Sequence, residues 1–72
     1  METTTIRLAI RDLPDQFDAG RMPVVLEVLE RVLTEETGTA IEAYADSMTI
    51  TIPVPTRNLL AAVQALRDMR LI

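Results

Sequence analysis

From residue 40 onward apolar and polar positions alternate, and the phase of the alternation flips part-way. In AIEAYADSMTITIPVP, residues 40–55, Ile41, Ala43 and Ala45 are apolar at odd positions, while Met48, Ile50, Ile52 and Val54 are apolar at even ones. Period two marks a strand with one buried face. A hairpin of strands 40–45 and 48–54 with an Asp46-Ser47 loop accounts for the flip. Directly opposed residues of an antiparallel pair share a face, so Ala45 opposes Met48, Ala43 opposes Ile50 and Ile41 opposes Ile52, all on one side. Glu42, Tyr44, Thr49 and Thr51 fall on the other side. A slip by one residue would send a whole apolar set into water.

The same period opens the chain. In TTTIRLAIRDL, Ile6, Leu8 and Ile10 line one face and Thr5, Arg7, Ala9 and Arg11 the other, which predicts a first strand. PDQFDAGR reads as a loop. The period then lengthens: in MPVVLEVLERVLTEETG, Met22, Val25, Leu26, Leu29, Val32 and Leu33 recur at helical spacing. Pro23 suits a first helical turn and Gly38 a left-handed cap. Glu27 and Arg31, four apart, are placed to pair. After Pro53 and Pro55, Thr56 is a candidate cap for a second helix in RNLLAAVQALRDMRLI, with Leu59, Val63, Leu66 and Met69 or Arg70 on its buried stripe.

The order strand, helix, strand, strand, helix predicts an α+β fold, a two-layer βαββα sandwich over residues 1–72 as a single domain. Its three-stranded sheet takes the order 1-3-2, with both helices on one face. The alternative makes residues 69–72 a fourth strand and completes a ferredoxin-like sheet. The element order, with its tight hairpin and closing helix, is similar to the DinI-like family of small acidic proteins that regulate recombinase filaments. That resemblance implies an acidic ridge on the closing helix. Here the closing helix carries Arg57, Arg67 and Arg70 against Asp68 alone, so the ridge residues have no counterparts.

Composition narrows the chemistry. The chain has no cysteine and no histidine, which removes thiol nucleophiles, disulfides, the commonest general base near neutral pH and the commonest transition-metal ligands. A net charge of −4, with seven arginines scattered among eleven acids, argues against nucleic acid as a partner. No apolar run approaches the ~18 residues that span a bilayer, and the N-terminus lacks a basic segment followed by an apolar one, so a cytoplasmic protein is expected. Asp12, Asp15 and Asp18 recur every third residue, which is not the alternate spacing of a calcium loop. Glu42 and Asp46 form a carboxylate pair with no cleft between them. Neither Gly20 nor Gly38 belongs to a phosphate-binding loop. No catalytic residue, cofactor or metal is therefore assigned, and the protein is not expected to be an enzyme.

What remains is a surplus of apolar and interface-type residues. Val24, Val28, Leu60, Leu71 and Ile72 are more than one small sheet can cover. Tyr44 stands on the outer sheet face with Arg7, Arg11 and Glu42 as prospective neighbours, and Tyr and Arg are enriched where proteins bind one another. The expected interface residues are thus Arg7, Arg11, Val24, Val28, Glu42, Tyr44, Leu71 and Ile72. The expected function is a non-catalytic protein-interaction module, a homodimer acting as a regulator or inhibitor of a larger protein. Two routes to the dimer remain open, the edge of the first strand and the flank of the first helix around Val24 and Val28. The alternative function is a small-molecule-binding domain with an apolar pocket between sheet and helices or at a dimer seam.

Overall fold

A computed structural model describes residues 2–72. Strand β1 (Thr3–Ala9) leads through two 3-10 turns to helix α1 (Met22–Thr37). Strands β2 (Tyr44–Ala45) and β3 (Thr49–Pro55) form the hairpin, and a 3-10 turn at Thr56–Asn58 runs into helix α2 (Leu59–Asp68). The sheet is antiparallel with order β1-β3-β2, and both helices pack on one of its faces, as the alternation predicted. Leu8, Ile50, Ile52 and Val54 from the sheet meet Val25, Leu29 and Leu33 of α1 and Ala62, Ala65 and Leu66 of α2 in one aliphatic core. Ile41 and Ala43 join it from the segment before β2.

The hairpin register differs from the expected one by two residues. Tyr44 opposes Thr51 and Ala45 opposes Ile50, so the two-residue loop is Ser47-Met48. A shift of two preserves parity, which is why the facing assignment survives the change. The exceptions lie at the tip: Ala45 is exposed, and Met48 is 70% exposed in the loop instead of buried opposite it. Asp46 selects the register. Its Oδ1 accepts the backbone N–H groups of Met48 at 2.8 Å and Thr49 at 2.7 Å, a side-chain-closed turn in which aspartate occupies the first position.

These two donors, Met48 first, hold the Asp46 carboxyl below its ordinary 3.8. A depressed folded-state pKa contributes stability that is present above the unfolded value and is lost as pH falls through the folded one. Unfolding in urea at pH 5 and pH 3 should therefore show a larger acid loss for the unmutated protein than for Asp46→Asn, which keeps an acceptor but does not titrate. Equal losses would remove Asp46 from the account.

Strand β2 is shorter than the predicted 40–45, and Pro53 explains why. Ile10 N–H donates to Met48 O at 2.9 Å on the β1 side, and Asp46 N–H donates to Thr49 O at 3.0 Å on the β2 side. Backbone groups alternate sides along a strand, so the place of Pro53 in the ladder faces Glu42, and proline has no N–H to offer there. The ladder stops at Tyr44. Upstream of it, the N–H groups of Ala43 and Ile41 donate to side chains of α1, Glu30 Oε2 at 2.9 Å and Thr34 Oγ1 at 3.1 Å. Helix α1 thus covers that edge of the hairpin. Among the described residues no hydrogen bond reaches the outer edge of β1, where the N–H groups of Thr3, Thr5, Arg7 and Ala9 point.

Both ends of α1 follow the sequence: Pro23 lies in its first turn and Gly38 closes it in the left-handed conformation, φ 71°. Thr56 is not the expected cap of α2. Its hydroxyl shares a 2.8 Å hydrogen bond with that of Thr4, and no side chain caps the helix. Residues 69–72 make no fourth strand. They close α2 with two reverse bonds, Arg70 N–H to Arg67 O and Leu71 N–H to Leu66 O, both 2.9 Å. Such a closure needs positive φ at the residue between, normally glycine, and Arg70 occupies it at φ 61°. A side chain there costs roughly 1 kcal/mol, so Arg70→Gly should raise the urea midpoint by about that much stability. An unchanged or lower midpoint would count against the strain.

Candidate interaction surfaces

The outer sheet face is built by the strand register. Arg7 of β1, Thr51 of β3 and Tyr44 of β2 oppose one another in one cross-strand row. Thr3, Thr5 and Ala9 of β1 flank the row, and their ladder partners are Pro55, Pro53 and Thr49. Tyr44 is 55% exposed, and its hydroxyl donates to Glu42 Oε2 at 2.6 Å. That hydrogen bond, reinforced by the carboxylate's charge, raises the phenol's pKa, so Tyr44 stays neutral and a donor. Tyr44 and Glu42 are therefore in contact, Arg7 lies in the same row beyond Thr51, and Arg11 is not on this face. The strand ends at Ala9, and Arg11 sits in the 3-10 turn Ile10–Asp12. There it borders an open groove of about 430 Å3 beside Ser47 and Met48.

The second surface is the side of the helix layer that faces away from the sheet. On α1 the stripe Val25, Leu29, Leu33 is buried, which turns Val24, Glu27, Arg31 and Glu35 outward. On α2 the stripe Ala62, Ala65, Leu66 is buried, which turns Leu60, Gln64 and Arg67 outward, with Arg57 in the turn before them. Val24 is 54% exposed and Leu60 70%. The other apolar candidates are less free. Val28 is half-buried and with Phe17, Val24 and Val25 lines a groove of about 200 Å3 rimmed by Asp18 and Arg21. Leu71 is folded back against the core by the closure of α2, which leaves Ile72 as the exposed residue of that pair.

Charge on this surface is little used internally. Among the described residues one ion pair falls within 4.0 Å, Arg21 Nε to Asp18 Oδ2 at 3.8 Å. Glu27 and Arg31 do not form the expected pair. Asp18 also accepts from Gly20 N–H at 2.8 Å, so it shapes the turn before α1. Among the described residues no group of three or more acids could hold a metal ion, and no polar or charged residue is buried. Glu42 and Asp46 are each engaged locally, one with the Tyr44 hydroxyl and the other with its own turn. No helix among the described residues is long and apolar enough to cross a membrane.

The chain matches no family model, and no curated protein or solved structure is significantly similar to it. These comparisons lend no support to the resemblance to DinI-like proteins. Sequence reasoning missed Met48 as an exposed residue. The signal was present: an aspartate followed two and three residues later by the donors that an aspartate turn closes on.

Proposed function

We propose that this chain is a non-catalytic protein-interaction module, self-associating and acting as a small regulator or inhibitor of a larger protein in the cytoplasm. The observation that carries this reading is the outward placement of Val24 and Leu60 on a helix layer whose outward Glu27, Arg31, Glu35 and Arg67 form no ion pair among the described residues. Aliphatic side chains set among charges in this way gain by being covered, and the surrounding charges supply orientation. The Arg7–Thr51–Tyr44 row offers a second surface for the larger partner, with an aromatic anchor of the kind interfaces favour.

The groove beside Phe17 supports the runner-up, a small-molecule site. At about 200 Å3 it is below the ~300–1,000 Å3 of ordinary ligand pockets, and the larger groove of about 430 Å3 beside Arg11 and Met48 is open at the hairpin tip, which ranks that reading second. A thermal-shift screen with metabolites and nucleotides, run beside affinity capture and mass spectrometry, separates the two. The interaction reading expects a specific protein partner and no stabilising metabolite. Stabilisation by one ligand with no protein captured would reverse the ranking.

A further inference from the structure

The helix layer is electrically divided. Helix α1 carries Glu27, Glu30, Glu35 and Glu36 against Arg31 alone, whereas the segment from Thr56 onward carries Arg57, Arg67 and Arg70 against Asp68 alone. In a chain of net charge −4, that closing segment is a cationic element beside an anionic one. The two helices pack side by side over the same face of the sheet, so both outer stripes belong to one surface. Each stripe also holds an exposed aliphatic, Val24 on α1 and Leu60 on α2.

We infer that the occupant of this surface is the same surface of a second copy, stacked about a two-fold axis that runs along the helices. The inference rests on the self-association proposed above and names its contact. A two-fold interface is self-complementary, so whatever α1 meets on the partner must meet α1 in return. An axis along the helices lays α1 over the partner's α2, and α2 over the partner's α1. Acids then face arginines twice, and the exposed aliphatics are enclosed between the layers. An axis across the helices would lay α1 on the partner's α1, the outward Glu27 and Glu35 of one copy against those of the other with only Arg31 to offset them, and is disfavoured by like-charge repulsion. Charge thus fixes the orientation of the dimer as well as its existence. The edge of β1, the other route open from the sequence, offers only Arg7 as a charge among Thr3–Ala9 and carries no such code.

Charge reversal on each helix tests the pairing. Glu27→Arg with Glu35→Arg makes both helices of a chain cationic, and Arg57→Glu with Arg67→Glu makes both anionic. All four positions are exposed, and circular dichroism checks that each variant retains the fold. In sedimentation equilibrium each variant alone is expected at 8.0 kDa, with self-association weakened at least tenfold, and their equimolar mixture at twice that mass. Rescue in the mixture places the contact between the charged helix layers, and dimerisation of the unmutated chain, whose anionic α1 stripes would repel in an α1-on-α1 stack, assigns α1 to the partner's α2. Variants that stay monomeric when mixed would overturn this pairing. Variants that dimerise as well as the unmutated chain would move the contact to another surface and leave self-association standing. An unmutated chain that stays at 8.0 kDa would overturn both.

Discussion

Ile50→Asp is expected to cost several kcal/mol of folding stability, while Thr51→Asp, one position along, costs little. Ile50 sits in the central strand with none of its surface exposed, between Leu8 of β1 and Ala45 of β2. An aspartate there enters a core with no polar group to receive it and costs at least ~4 kcal/mol. A chain of 72 residues has roughly 4–11 kcal/mol of stability in all. Thr51 projects from the outer face between Arg7 and Tyr44, where a carboxylate gains a cation as neighbour. Circular dichroism with urea titration reads both. Similar losses at the two positions would show that the sheet does not have one dry face.

A second contrast separates folding from association. Leu29 is fully buried at the centre of α1, and Leu29→Ala should cost about 2–5 kcal/mol through lost burial and the cavity left behind. Leu60, exposed on α2, should cost the isolated fold less than about 0.5 kcal/mol when cut to alanine. Under the helix-layer pairing, Leu60→Ala nonetheless weakens the dimer. Urea unfolding of dilute protein and sedimentation of concentrated protein give the two readouts. A Leu60→Ala variant that loses folding stability but not self-association would invert the assignment.

The architecture was legible because parity and period report facing, and facing was all the sheet required. The flip between Ala45 and Met48 demanded an even loop, and an even loop is what the hairpin has. Parity is blind to shifts of two, so the register itself rested on turn chemistry, in particular on a carboxylate closing over Met48 and Thr49. The short β2 was also written in the sequence. Pro53 lacks a donor on the side facing Glu42, but that side is known only once the register is known. Arg70 was not legible: nothing marks an arginine for positive φ until the closure of α2 places it there.

The candidate surfaces followed a similar division. Facing alone places Tyr44, Arg7 and Glu42 on the outer side of the hairpin and sheet, and the apolar surplus of α1 marks Val24 as exposed. Arg11 was misplaced on the sheet face because Ile10 continues the apolar alternation, yet the strand has already turned into a 3-10 turn at that residue. Val28 and Leu71 were counted as surplus because neither the loop carrying Phe17 nor the fold-back after α2 leaves a periodic signature. The division of charge between α1 and α2 gained meaning only once both helices were placed on the same face.

Self-association is the claim on which the functional account turns, and sedimentation equilibrium of the unmutated chain across micromolar to millimolar concentrations tests it most directly. The account predicts a reversible rise in mass from 8.0 kDa to twice that value. A single species at 8.0 kDa across the whole range would contradict it and return Val24 and Leu60 to the ordinary surface.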